Sequence, residues 1–128
     1  MSQVDQDYAK KRSAFRMSMI EKEPVYMLLS MDGEDIDPVL DELGAGGARL
    51  WSSKHYDRFY EGQLIGPAVL LLDEIGMPVV YPIVKWKNWP VIGVQFIDME
   101  EKEREMIFRF LFKLERKKMQ TKETKRRS

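Results

Sequence analysis

The feature that most limits the fold is the punctuation between Pro24 and Ile97. Short apolar segments are separated by Gly, Pro, Asn and Asp, and none has the length and period of a helix. From Pro24 the period is two: Val25, Met27, Leu29 and Met31 alternate with Tyr26, Leu28 and Ser30, which describes a strand with one apolar face. Asp32-Gly33 ends it with a pair suited to a type I′ hairpin turn, where both central residues need positive φ. The partner strand is expected from about Ile36 to Leu43, and Ala48 to Ser52 continues as a third strand. Residues 53 to 67 read as a loop with at most one helical turn, His55 being a surface histidine. Ala68 to Leu72 is short and wholly apolar, as a buried strand is, and Asp73 to Gly76 is its turn. Met77 to Lys87 and Val91 to Ile97 form a pair joined by Asn88-Trp89-Pro90, with Ile92, Val94 and Phe96 on one face. Six short strands without an intervening helix predict an antiparallel barrel or sandwich; a closed barrel would also remove unpaired edges.

The end of the chain changes period. Ile107, Phe110, Leu111 and Leu114 recur at helical spacing and Phe108 and Phe112 widen the stripe, predicting a helix over about 99–118. Asp98 and Glu101 resemble a capping box. Glutamates at 100, 101 and 103 and cations at 116 to 118 suit the two ends of the helix dipole. The apolar stripe must be buried, on the barrel or on a partner. Residues 1–9 and 119–128 read as flexible tails, the latter basic, leaving one domain over 10–118: an arm at 10–17, a barrel at about 24–97 and the helix.

With 128 residues, 44% of them hydrophobic, the chain can build a single core. It has no cysteine and one histidine, which argues against disulfides, the usual zinc sites and any triad that needs a histidine base beside a cysteine. Lys plus Arg equals Asp plus Glu at 21 each, so no non-specific attraction to nucleic acid is expected. No apolar run approaches the length that spans a bilayer, and the first residues are too polar for a secretory signal, so a cytoplasmic protein is expected.

The run Asp41-Glu42-Leu43-Gly44-Ala45-Gly46-Gly47-Ala48-Arg49 bares the backbone between two strands. Glycine reaches positive φ at little cost and lets a ligand or a neighbouring strand approach the peptide groups. A tight hairpin and a polar ligand site, with Glu42 before and Arg49 after the glycines, are both consistent with it. Asp41 and Glu42 are expected on opposite faces of their strand, so they would not converge as an acid/base pair. No phosphate-loop lysine, dinucleotide fingerprint or nucleophile elbow is present, and an enzyme is not expected.

Two features lie together: Arg12-x-x-x-Arg16 within the basic segment that precedes the first strand, and Glu42-x-Gly44-x-x-Gly47 at the end of the second. In these the chain resembles the PilZ domain family, bacterial receptors for cyclic di-GMP built on a six-stranded antiparallel β-barrel with a C-terminal helix. The family pattern is R-x-x-x-R followed by [DN]-x-S-x-x-G. The resemblance continues through Gly46 to Leu50, Val84-Lys85-Trp86, Ile92 to Phe96 and the end helix, about residues 10 to 116. It implies an all-β fold with a C-terminal helix and a cyclic di-GMP site formed by Arg12, Arg16, Glu42, Gly44 and Gly47, with Arg49 and Trp86 as further candidates. Trp86 has an alternative place in barrel packing.

The resemblance further implies no cofactor, metal or catalytic residue. The ligand would order the arm and so relay the messenger level to a protein partner in flagellar, pilus or exopolysaccharide machinery, as monomer or dimer. Guanidinium groups suit such a ligand, since they fork onto phosphate or guanine O6 and N7 and stack on bases. The chain departs from the pattern twice, with Glu42 for Asp or Asn and Gly44 for Ser. Each departure costs about 1 kcal/mol, a weakening of roughly ten- to a hundredfold together. The alternative is a degenerate PilZ-like adaptor that has lost the nucleotide and works by protein-protein interaction.

Overall fold

The computed structural model describes residues 16–18 and 24–127, with side chains described for 24–117. Tail 1–9, Arg12 and most of the arm lie outside the described residues. Nine strands are present among the described residues: β1 (Arg16–Ser18), β2 (Met27–Met31), β3 (Glu34–Ile36), β4 (Val39–Gly44), β5 (Gly47–Trp51), β6 (Ala68–Leu70), β7 (Val79–Val80), β8 (Pro82–Asn88) and β9 (Val91–Phe96). One helix, α1, spans Glu101–Arg127.

Every strand pair is antiparallel. One sheet has the order β1-β4-β5-β9-β8 and the other β3-β2-β6-β7. The expected six-stranded closed barrel is therefore corrected to two sheets of five and four strands that meet at corners. Prolines decide where the ladder breaks. The strand expected over Ile36–Leu43 is cut by Asp37-Pro38 into β3 on one sheet and β4 on the other, because proline has no N–H to continue a ladder. The backbone re-pairs at that corner: Met27 N–H donates to Pro38 O at 3.0 Å and Leu40 N–H to Val25 O at 2.7 Å. The strand expected over Met77–Lys87 is likewise divided before Pro82, where Ile65 N–H donates to Pro82 O at 2.9 Å.

The alternation read in β2 is kept side chain by side chain. Val25, Met27, Leu29 and Met31 are buried, whereas Tyr26, Leu28 and Ser30 are exposed. Asp32 and Gly33 close the hairpin with φ of 52° and 80°, the left-handed pair a type I′ turn requires. Leu40, Leu43, Leu50, Leu70, Val84 and Ile92 lose all contact with water between the sheets, each contributing about 1.5–3 kcal/mol. The loop at 53–67 carries a single 3-10 turn, Tyr56–Arg58, and is anchored by the buried Phe59. Arg58 also ties it to the β2–β3 hairpin, donating to Met31 O at 2.7 Å and Glu34 Oε2 at 2.6 Å.

The helix buries Ile107, Phe108, Phe110 and Leu111 against the core and packs on β4 and on the 3-10 turn Asp73–Ile75. Phe112 remains exposed and stacks on Phe108 with centroids 6.3 Å apart. Lys113 pairs with Glu74 and lies 3.6 Å from Asp73. Two details differ from expectation. The first helical bond runs from Arg104 N–H to Glu100 O, and Asp98 has φ 51°, so Asp98 is not the residue that caps the helix. The helix also continues past 118 to Arg127, because residues 119–127 contain neither Gly nor Pro and are rich in good helix formers. No helix of the described residues is long and apolar enough to cross a membrane.

Candidate ligand-binding site

The glycine run joins β4 to β5 at one end of the larger sheet. None of Gly44, Gly46 and Gly47 has a positive φ, so turn strain is not what requires them. Close approach explains Gly47: a side chain there would collide with the Val94 carbonyl oxygen and stand 3.2 Å from Gln95 Cα on β9. Gly46 O accepts from Phe96 N–H at 2.9 Å, which locks the turn to the same strand. Gly44 is buried at the end of β4, directly opposite Arg16 of β1.

Register then builds a row across the outer face. Ser18, Glu42, Arg49, Gly93 and Trp86 are successive cross-strand partners on β1, β4, β5, β9 and β8. Directly paired residues stand on one face of a sheet, so Glu42, Arg49 and Trp86 come together although they are distant in sequence. Arg49 Nη2 lies 2.8 Å from Glu42 Oε2. The Trp86 indole occupies the space that a side chain at Gly93 would need, its Cζ2 2.6 Å from where that β-carbon would stand. Trp86 packs against Gly93 of β9 on the outside of the sheet and keeps 41% of its surface exposed. A residue with a side chain at position 93 would displace the ring.

Two β-bulges alter what alternation alone would give. In the β4–β5 ladder the register shifts between Leu40 and Glu42, and Asp41 is the extra residue. A bulge re-aims one side chain relative to its neighbours. Asp41 consequently joins Glu42 on the same guanidinium, with Arg49 Nε 3.1 Å from Asp41 Oδ2, and the expectation that these two acids diverge is overturned. That Nε is buried and its contact with Asp41 is ionic, off the hydrogen-bond axis. In the β8–β9 ladder the shift falls between Val84 and Trp86, and Lys85 is the extra residue.

Together these elements border an open cleft of about 460 Å³ whose lining includes Gly46, Gly47, Arg49, Lys85, Trp86 and Gln95. Arg49 and Lys85 line it, Arg49 being paired at its margin with Asp41 and Glu42, so what the cleft offers a ligand is N–H donors, the Lys85 charge and the Trp86 indole. A larger cleft, about 530 Å³, is lined by Leu28, Ser30, Asp35 and Asp37 among others. It holds acids and no cation, which makes it the wrong sign for a phosphate compound.

Of the site residues expected from sequence, Gly47, Arg49 and Trp86 line the cleft and Glu42 holds Arg49 beside it. Gly44 stands two positions before Gly46, the nearest lining residue, and Arg16 is placed by its backbone opposite Gly44, its side chain lying outside what is described. Arg12 lies outside the described residues. Asp41, Lys85, Gly93 and Gln95 are not among the site residues expected from sequence, although Asp41 is weighed there as an acid/base partner and the other three fall within the stretches of resemblance. Their signal is register: the bulges and the cross-strand partners appear only once the ladders are known.

No protein-family model and no curated protein matches the chain. Solved structures do match. The PilZ domain of YcgR from Escherichia coli with c-di-GMP superimposes with a TM-score of 0.71 at 14% identity, covering 85% of this chain and 95% of that one. YcgR from Escherichia coli in complex with c-di-GMP gives 0.73 at 16% identity over 86% of this chain and 48% of that one. The K. pneumonia MrkH–c-di-GMP complex gives 0.65 at 21% identity, covering 89% and 54%. The chain thus spans about half the length of MrkH and of YcgR. With two antiparallel sheets, a glycine turn packed against β9 and one C-terminal helix, this chain has the fold of the PilZ domain proteins.

Proposed function

We propose that the chain is a receptor for cyclic di-GMP that binds the nucleotide without transforming it. The observation that carries this reading is the row Glu42–Arg49–Gly93–Trp86, set beside the strand that bears Arg16, on a fold whose solved neighbours include c-di-GMP complexes. Arg12 and Arg16 would supply guanidinium groups from the arm, Gly44 and Gly47 the bare backbone, Arg49 a fixed cation and Trp86 a stacking surface. Glu42 takes a different part from the one the family pattern implies. Its carboxylate holds Arg49, so it acts on the ligand through that cation more than by accepting from a guanine.

Arg16 and Met17 of the arm pair with β4, so ordering of its remainder, residues 10–15, over the cleft would change the surface shown to a protein partner, in flagellar, pilus or exopolysaccharide machinery. That ordering uses part of the binding energy. A second reading, an adaptor that binds no nucleotide, draws on the Glu and Gly that replace Asp or Asn and Ser in the pattern.

Calorimetric titration of the whole chain with cyclic di-GMP, beside an Arg16→Ala variant, separates the two. Saturable heat that the substitution abolishes supports the receptor. Absence of heat at high ligand concentration supports the adaptor.

A further inference from the structure

The two bulges place charged residues where alternation would not, and both act at the same cleft. Arg49 has five N–H donors in a planar fork. Its Nε and Nη2 edge is taken by Asp41 and Glu42, at 3.1 and 2.8 Å. The guanidinium is therefore held by one edge while Nη1 and the second Nη2 hydrogen point away from the acids. The side chain is 40% exposed although Nε is buried, so what water reaches lies beyond the held atom. On the opposite side of Gly93 stands Lys85, exposed and lining the same cleft. Arg49 and the β8 bulge are two strands apart, about 10 Å, within reach of two long cationic side chains converging on one group.

We propose that the bulges build a phosphate clamp: Asp41 is a positioning residue that fixes Arg49 with its free edge toward the cleft, and Lys85 is a further ligand-binding residue that closes on the same phosphate. This rests on the cyclic di-GMP reading for the identity of the ligand, and it assigns one phosphate of the dinucleotide to Arg49 and Lys85. Arg49 gives the directional, forked contact and Lys85 a point charge that follows the phosphate. A sharp sign test follows. Removing an acid near an anionic ligand lowers repulsion and, by simple electrostatics, tightens binding; if Asp41 positions Arg49, removing it loosens binding instead.

The experiment is calorimetric titration of the whole chain with cyclic di-GMP for wild type, Asp41→Ala, Lys85→Met, Arg49→Met and the Asp41→Ala/Arg49→Met pair, with thermal melts to establish folding. Expected are losses of about five- to tenfold for Asp41→Ala and about tenfold for Lys85→Met, with no further loss from Asp41→Ala once Arg49 is gone. Asp41→Ala binding as tightly as wild type or more so overturns the positioning role, as does a loss of the same size without Arg49. Unchanged affinity in Lys85→Met removes Lys85 from the clamp. If wild type gives no heat with cyclic di-GMP, the receptor reading fails by itself, and the clamp is judged with inorganic pyrophosphate, followed by the Arg49 Nε–Hε NMR signal. A saturable shift that shrinks in both Asp41→Ala and Lys85→Met sustains the clamp; no shift overturns it.

Discussion

Gly93→Ala tests the outer face most directly, because the geometry leaves the new methyl nowhere to go. It would overlap the indole edge of Trp86 at Cε2 and Nε1 and stand 2.6 Å from Cζ2, whereas carbon atoms rest at about 3.5–4.0 Å. The obstacle is a side chain 41% exposed, so the ring swings outward and the strand keeps its register. Losing that contact uncovers on the order of 80 Å² of apolar surface, about 2 kcal/mol at about 25 cal/mol per Å². Alanine in place of glycine within a strand returns about 0.5–1 kcal/mol of chain entropy. The net destabilisation is about 1–1.5 kcal/mol, a fall in melting temperature of roughly 3–8 °C. Gly46→Ala is the control, since nothing lies within 4 Å of its new carbon. In a background with Trp51 and Trp89 replaced by Phe, Trp86 is the sole tryptophan, and its emission should shift to the red in Gly93→Ala. Cyclic di-GMP affinity should fall about tenfold with the platform displaced, base–aromatic stacking being worth about 1–3 kcal/mol. A variant that melts within a degree of its parent with unchanged emission would refute the placement of the ring on Gly93.

Other positions give separate outcomes. Gly47→Ala meets backbone, the Val94 carbonyl oxygen, so no side chain can step aside; a loss of about 1–3 kcal/mol is expected in urea unfolding. Arg58→Ala removes donors to Met31 O and Glu34 and loosens loop 53–67 from the hairpin, lowering stability by about 1–2 kcal/mol and raising amide exchange in the loop. Hydrogen bonding to Glu74 raises the Lys113 pKa above its ordinary value; burial opposes the rise, and the charges of Glu74 and Asp73 add to it. A cation favoured in the folded state stabilises fully below its unfolded pKa and ceases to do so as pH rises through the raised folded value. Lys113→Met should therefore melt lower than wild type at neutral pH, the gap closing in strongly alkaline solution; a gap independent of pH would assign it to packing.

Legibility divided along the range of the interactions involved. The β2 alternation, the Asp32-Gly33 turn and the stripe of Ile107, Phe110 and Leu111 are encoded by neighbours within a few residues, and each is found in place. The division of the sheets was also written locally, in Pro38 and Pro82, yet the count of six strands passed over it because a proline within an apolar run does not say which sheet the chain rejoins. Helix length past 118 agrees with propensity, which apolar spacing does not encode.

Amino-acid order alone thus determined an antiparallel β fold with an amphipathic end helix and a glycine turn flanked by opposite charges. Only tertiary structure decided that Asp41 and Glu42 share one arginine, that Lys85 faces the cleft, and that Trp86 lies on Gly93. The physical reason is that a single extra residue in a ladder reverses which face a side chain takes. A bulge is set by the pairing of two strands, not by either strand's own sequence.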